Sequence, residues 1–477
     1  MIVKNKRFNF FEIENGGISV NNAETKAVLT HYFYNQKNEI GRIYKEEALK
    51  FIDNFLLENK LPASELKTVL KDLNSEMKQG KFQSNQNPSF KFIDLFAGIG
   101  GFRFALQNLG GKCVFTSEWD KEAKKTYYNN YGEYPFGDIT KPEVKNYIPT
   151  NFDVLCAGFP CQPFSKGGFR NGFEDTRGTL FFDLCEIIKK HKPKFLFLEN
   201  VANLVTHEKG STYSTILNSL DALGYYFPDE PLILSPDKFG VPILRPRIYI
   251  PCVRKDVAKG KVAKIRKFKN EIEKHFVKEI ASIDTVLDKN IEPNLSVYEE
   301  RVLTMWDEFY SGIDLKVIGF PIWMEFFKHE DNLEDYPLWK AKFIQKNIDL
   351  YRRNKLFIDR WLLKHDNLDW CIKTHRKMEW QAGKDYTSIF ECIIQFRPSG
   401  VRVKRPNKFS TLVAMNHQQI IGKYHRRITI DESKCLQSFP EGYELSNTNG
   451  IAMKQLGNSV NVKVVQSIFD VVLKTFA

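Results

Sequence analysis

Apolar positions follow three different rhythms along this chain. Ala48, Phe51, Ile52, Phe55 and Leu56 recur at helical spacing, and so do Leu66, Val69, Leu70, Leu73 and Met77. Asn59-Lys60-Leu61-Pro62 separates the two stretches as a turn does. A small helical appendage is predicted here, a packing extension rather than a DNA-binding accessory. The polar stretch Gln79–Pro88 breaks the period and marks a linker, so residues 1–88 read as helical extension plus linker. From Phe90 the texture changes to short apolar runs: Lys91–Phe96, Cys113–Thr116, Phe152–Cys156 and Phe195–Leu198, with helical segments between them. Strands buried on both faces have this pattern, and the helices between them imply parallel crossovers. Residues 89–255 are therefore predicted to form a doubly wound α/β domain with a mostly parallel sheet. The rhythm is lost from 256 to about 410, and no internal repeat is present.

Length and composition narrow the picture. A chain of 477 residues suggests two or three domains, and 42% apolar with 27% charged residues is a globular composition. No apolar run reaches the roughly 18 residues that a membrane span needs, and Met1-Ile2-Val3-Lys4-Asn5-Lys6 opens no secretory signal. Eight cysteines without paired or metal-like spacing read as reduced thiols of an intracellular, cytoplasmic protein that holds no metal. The net charge of +12 makes nucleic acid the first partner to consider. Lys255, Lys259, Lys261, Lys264, Arg266, Lys267 and Lys269 crowd one stretch, and Arg397–Pro406 is a second basic run. Six of the seven tryptophans lie between Trp306 and Trp380. Two readings of this region stand side by side: a surface for groove contact and base stacking, or a second core with a solvated charged face.

Three short stretches carry chemistry. Phe96-Ala97-Gly98-Ile99-Gly100-Gly101-Phe102 follows a predicted strand and opens a helix, where glycines let backbone approach a ligand closely. Glu118 comes about 18 residues after Gly100, near the spacing at which an acid meets a ribose, and Trp119 beside it is placed to stack on an adenine. These residues point to a nucleoside cofactor without choosing between NAD and S-adenosylmethionine. Gly158-Phe159-Pro160-Cys161-Gln162-Pro163-Phe164-Ser165 directly follows a strand, ahead of the glycine-rich Lys166–Gly172. A thiol at a strand end between prolines is displayed, which makes Cys161 a candidate nucleophile and the glycine-rich loop a candidate lid. Glu199 ends the strand Phe195–Leu198 and shares the carboxyl edge of the sheet with Cys161. A thiolate that attacks carbon 6 of a pyrimidine drives charge onto the ring, and an acid at N3 neutralises it. Arg245 and Arg247, two apart on a predicted strand, would face one side and hold the base and its phosphates.

Together these stretches resemble the cytosine-5 DNA methyltransferase family, most closely its bacterial modification enzymes. Phe96–Gly101 is similar to the family's cofactor loop and Gly158–Ser165 to its nucleophile motif. Asp175–Phe181 and Glu199-Asn200-Val201 resemble the next two motifs, and Arg245-Pro246-Arg247 the arginine motif. Arg427–Thr429 with Leu436–Pro440, then Gln455–Val460, match the closing pair, all in the family's order. The resemblance implies that Phe96, Gly98, Gly100, Glu118, Trp119, Asp138 and Asn458 contact S-adenosylmethionine. Glu118 would take the ribose hydroxyls, Trp119 the adenine face and Asp138 the adenine amine. It also implies Cys161 as nucleophile, Glu199 as the proton donor to N3, Arg247 as a clamp near the base's O2, and a cytosine flipped out of double-stranded DNA. Residues 256–415 would be the target-recognition domain, and 416–477 its brace followed by a helix returning to the catalytic domain. A monomer within a restriction-modification system, with a cognate endonuclease as functional partner, completes the expectation. Two positions depart from the family's pattern: Ile243 where the arginine motif usually begins with Gln, and Asp431 where Arg is frequent. Three rivals explain less. A transfer RNA methylase on the same fold does not need so large a basic insert. A methylase-like binding protein has no use for Cys161, Glu199 and Arg247, and an NAD-dependent dehydrogenase leaves the cysteine motif idle.

Overall fold

The computed structural model describes residues 23–36, 39–58, 60–76, 79–84, 87–160, 180–314, 319–329, 333–413 and 418–476. The chain forms two compact units. The first gathers the chain up to Phe239, Arg245–Lys278 and the chain from Gln437; the second comprises Gly240–Leu244 and Glu279–Leu436.

The first unit opens with the helices α1 (Ala23–Tyr34), α2 (Glu39–Glu58) and α3 (Leu66–Glu76); α2 and α3 correspond to the two stretches read from the periodicity, and α1 is a further helix that the spacing did not indicate. Its sheet contains β1 (Phe90–Leu95), β2 (Gly111–Ser117), β3 (Val154–Gly158), β4 (Phe195–Val201), β5 (Tyr225–Tyr226), β6 (Leu232–Leu234) and, after β7 (Ile243–Leu244) of the second unit, β8 (Arg247–Arg254). The order is β2-β1-β3-β4-β8-β5, with β6 also on β8. β2, β1, β3 and β4 are mutually parallel, while β8 runs against β4, β5 and β6. The helices of this unit continue as α4 (Gly101–Asn108), α5 (Lys121–Tyr131), α6 (Pro142–Lys145), α7 (Leu180–His191) and α8 (Ser211–Ala222). The β1–α4–β2 and β3–α7–β4 crossovers leave the sheet centre in opposite directions, which with right-handed connections puts α4 and α7 on opposite faces. This is the expected doubly wound, mostly parallel α/β fold. The point where the crossovers diverge lies between β1 and β3, and ligands of open α/β sheets collect outside the strand ends there.

Every residue of β2 is buried, as are Phe92–Leu95 of β1 and Val154–Ala157 of β3, which is why these strands read as unbroken apolar runs. The C-terminal helix Val462–Phe476 packs into the same unit, with Phe469 against Phe90, Phe195 and Phe197. Among the described residues, no helix is long and apolar enough to cross a membrane.

The units do not divide where the sequence rhythm changed. Residues 256–278 stay with the first unit, because Ile265, Phe268 and Ile272 of two short helices are buried and the second of these packs on the C-terminal helix. Three cations of the first basic run accordingly sit in ion pairs of that unit: Lys255 with Asp221, Arg266 with Asp229 and Lys269 with Glu230. Residues up to Leu436 belong to the second unit, because Ile420–Ile421 and Arg426–Arg427 are strands of its sheet.

That second sheet has six strands in the order Arg426–Arg427, Ile420–Ile421, Ile393–Arg397, Gly400–Lys404, Lys377–Gln381 and Pro321–Trp323. It packs with the helices Val297–Gly312 and Lys355–Lys364 around Trp306, Trp361 and Trp380. Tyr310 stacks on Trp380 at 3.5 Å between ring centroids. All three indole N–H groups donate to backbone carbonyls inside the unit, of His375, Met305 and Gly383. For these three tryptophans the second-core reading holds and base stacking does not: their faces are covered and their polar edges are satisfied. Trp339 is the exposed exception, with 62% of its surface free.

Candidate active site

One cavity of about 720 Å³ opens at the divergence of the crossovers, and all of its lining belongs to the first unit. The β1 end supplies Phe96, Gly98 and Ile99, the β2 end Glu118, Trp119 and Asp120, and the next loop Asp138. β3 and β4 contribute Gly158–Pro160 and Glu199–Val201, the approach to β8 contributes Arg245 and Arg247, and the C-terminal segment contributes Asn458. Of the eleven expected site positions, nine line this space; Gly100 sits buried behind it, and Cys161 lies outside the described residues.

The β1 turn is built on left-handed backbone. Phe96 has φ 56°, Gly98 φ 55° and Gly100 φ 86°. Positive φ costs glycine little, but for a bulky residue such as Phe96 it is a strained conformation of the kind that concentrates at functional sites. Nothing in the sequence signals it. Gly100 has a further reason to be glycine, since a Cβ there would lie 2.5 Å from a ring carbon of Tyr131.

Glu118 is fixed by backbone donors. Its Oε2 accepts the Gly98 N–H at 2.7 Å, and Oε1 accepts the N–H groups of Trp119 and Asp120, both at 2.8 Å. Of about four carboxylate lone-pair positions three are used, so Oε2 keeps acceptor capacity. Burial nevertheless raises its pKa. Asp120 caps α5 by accepting from the Glu122 and Ala123 N–H groups, and this holds the Glu118–Asp120 turn in place. Trp119 is 80% exposed, a large ring left open at the cavity. Asp138 is oriented through Oδ1, which accepts the Thr140 N–H and hydroxyl.

On the β3–β4 side, Gly158 and Glu199 are register partners, so the two strand ends lie side by side. The Asn200 amide donates to the Phe159 carbonyl at 2.9 Å and fixes the turn ahead of Pro160. Burial raises the pKa of Glu199, and Arg247 and Arg245 offset this in part. Arg247 Nε lies 3.3 Å from Glu199 Oε1.

Arg245 differs from expectation. It precedes β8 rather than sharing a strand with Arg247, and it is 98% buried with 2% of its surface free. Its Nη2 donates to the carbonyls of Gly457 and Ser459, both at 2.7 Å. Burial, then the neighbouring Arg247, pull its guanidinium below the ordinary value, to about 9. The side chain thus ties down the segment that carries Asn458. Ile243, at the position where Gln is usual, is fully buried and pairs with Phe409 in the second unit. Asp431 lies 2.7 Å from Lys434.

Fold and cavity define an α/β methyltransferase, and comparison with known proteins names the group. The family model for C-5 cytosine-specific DNA methylase matches residues 90–474, and this chain belongs to that family. It is similar to the type II methyltransferase M.HpaII of Haemophilus parainfluenzae, with 62% identity over 174 residues, 35% of this chain and 48% of that protein. M.BanI of Aneurinibacillus aneurinilyticus is 31% identical over 416 residues, which span 80% of this chain and 95% of that protein.

Proposed function

We propose that this chain transfers a methyl group from S-adenosylmethionine to carbon 5 of a cytosine flipped out of a specific duplex sequence, as the modification half of a restriction-modification system. The observation that carries the reading is one cavity holding two sets of groups. Glu118, Trp119, Asp138 and Asn458 form a set of hydrogen-bonding and stacking groups suited to a nucleoside, and Glu199 with Arg247 forms an acid–cation pair suited to a pyrimidine. The nucleoside set fits S-adenosylmethionine chemically: an anchored carboxylate for ribose hydroxyls, an open indole for adenine and a second carboxylate for its amine. When bound, S-adenosylmethionine supplies an electrophilic methyl group.

The protein's own groups do the rest. The Cys161 thiolate adds to carbon 6 of the base while Glu199, whose pKa burial raises, gives its proton to N3, so the ring becomes an enamine whose carbon 5 is nucleophilic. Arg247 orients the Glu199 carboxyl and stands beside the base. After methylation, carbon 5 loses its hydrogen as a proton and the carbon–sulfur bond breaks, which frees Cys161. Pro160, the sequence neighbour of Cys161, lines the cavity. Cys156 within β3 is fully buried and its thiol is driven up by that burial, so it offers no thiolate. The net charge of +12 suits a polyanionic partner, and the type II names of the relatives support the modification role.

Fluorine at carbon 5 cannot leave as a cation, so duplex DNA carrying 5-fluorocytosine at the target should trap the protein. The adduct should survive denaturation, require S-adenosylmethionine and map to the peptide containing Cys161. An adduct on Cys156 or Cys185, or none on a confirmed target, would refute the mechanism. Trapping on transfer RNA and not on duplex DNA would overturn the substrate.

A further inference from the structure

We infer that α1, which precedes the matched family domain, is a built-in brace for the cofactor cavity, with Asn35 and Thr30 as positioning residues. The inference rests on reading that cavity as the S-adenosylmethionine site.

The helix lies along the segment Glu133–Asp138, which delivers Asp138 to the cavity. It grips that segment at several points. Just beyond the end of α1, the Asn35 amide donates to Glu133 Oε1 at 2.6 Å. The Tyr134 N–H donates to Thr30 Oγ1 at 2.9 Å, and the His31 ring lies 5.4 Å from that of Phe136. At the start of α1, Glu24 closes on Gly137, where a Cβ would lie 2.5 Å from Glu24 Oε1. Contacts from both ends of one helix therefore fix the backbone immediately before Asp138.

A second line of contacts leads from Asn35 to the β1 turn. Glu133 is ion-paired with Arg103, and both are essentially without exposed surface. A buried pair of this kind is held only when its remaining polar positions are filled. Asn35 fills one on Glu133; Arg103 donates to Gln107 Oε1 at 2.6 Å and to the Tyr127 hydroxyl at 3.2 Å. The guanidinium lies 4.4 Å from the Tyr131 ring centroid. That same ring backs Gly100, and its hydroxyl donates to the Gly100 carbonyl at 2.8 Å. The left-handed turn that presents Gly98 thus rests on a tyrosine, the tyrosine on an arginine, and the arginine on a carboxylate held by α1. The family model begins at residue 90, so α1 and Asn35 lie outside it.

The test uses the full chain with Asn35→Leu, near-isosteric but without a donor, and Thr30→Val, which removes the acceptor for Tyr134. Calorimetry with S-adenosylmethionine alone should show about tenfold weaker binding for Asn35→Leu and about threefold for Thr30→Val. At saturating S-adenosylmethionine, kcat and the KM for DNA should stay within twofold. Amide hydrogen exchange of cofactor-free protein should quicken at residues 96–101 and 134–139. If Asn35→Leu does not fold, Thr30→Val carries the test. Folded variants that bind S-adenosylmethionine within twofold of wild type would overturn the inference, and so would equal losses in cofactor binding, kcat and DNA affinity, which would mark general destabilisation. A wild-type protein that binds no S-adenosylmethionine would instead overturn the cavity reading, and the brace with it.

Discussion

Arg245→Met separates an internal tie from a clamp on the substrate. In the tie, one Nη2 donates to two carbonyls, Gly457 and Ser459, at 2.7 Å each. Hydrogen bonds from a charged donor contribute about 1.5–3 kcal/mol apiece. The substitution also relieves the desolvation of a buried guanidinium, so the lower end applies and the expected loss is about 3 kcal/mol. At roughly 2 °C per kcal/mol for a large unit, the melting temperature should fall by about 6 °C. Because the tied segment carries Asn458, S-adenosylmethionine binding should weaken as well. DNA affinity at saturating S-adenosylmethionine should stay within about twofold. Scanning calorimetry, titration calorimetry and fluorescence anisotropy with a duplex oligonucleotide read the three quantities separately. Arg245→Lys keeps the charge but not the forked geometry, and should fall between wild type and Arg245→Met. An unchanged melting temperature together with collapsed DNA binding would refute this reasoning and return Arg245 to the substrate.

Cys161→Ala should abolish turnover, to below about a thousandth of wild type, with cofactor binding retained; losing the nucleophile costs several kcal/mol of barrier, and higher residual activity would sink the assignment. Glu199→Gln should slow kcat strongly and leave the affinity for S-adenosylmethionine unchanged by calorimetry. In the wild type, Glu199 must be protonated to donate, so kcat should fall as pH rises through its raised pKa. In Glu199→Gln that falling limb should vanish from the pH profile. Glu133→Gln leaves Arg103 buried without its counter-charge and should destabilise the first unit by about 3–5 kcal/mol in denaturant titrations. Burial alone would raise the Glu133 carboxyl, but Arg103, His31 and Asn35 outweigh it and hold it below the ordinary value. The stability that Glu133 contributes is therefore present above the unfolded-state pKa of about 4.3 and is lost as pH falls through the folded value.

Much of the first unit was legible because burial on both faces forces unbroken apolar strands, and β1, β2, β3 and β4 are read directly from such runs. The cavity was legible where it depends on residue type at a strand end: glycines at 98 and 100, carboxylates at 118 and 199. Conformation and direction were not. The sequence around Phe96 carries no sign of its left-handed backbone, and Arg245 looks the same in print whether it faces a base or two carbonyls. The tryptophans of the second unit left two readings open for a related reason. Clustered aromatics among cations fit a stacking surface or a core equally well, and only the internal carbonyls that accept the Trp306, Trp361 and Trp380 indoles decide between them.

The extension shows why periodicity alone undervalues such a segment. Apolar spacing reports that a helix has a face to bury, and α1 buries Ala27, Val28, Leu29 and Phe33 as any packing helix would. Its specific work is done by Glu24, Thr30 and Asn35, polar residues of kinds common on helix surfaces. Their partners lie far along the chain: 98 residues separate Asn35 from Glu133, and 104 separate Thr30 from Tyr134. Local sequence carries no record of such pairings. Glu133 likewise reads as a solvated acid until the fold surrounds it with Arg103 and Asn35. A carboxylate and a guanidinium with essentially no exposed surface are costly to keep unless neighbouring groups fill their remaining polar positions. Asn35, just beyond α1, supplies one of those groups, so a buried ion pair behind the cavity is completed by a residue outside the matched family domain.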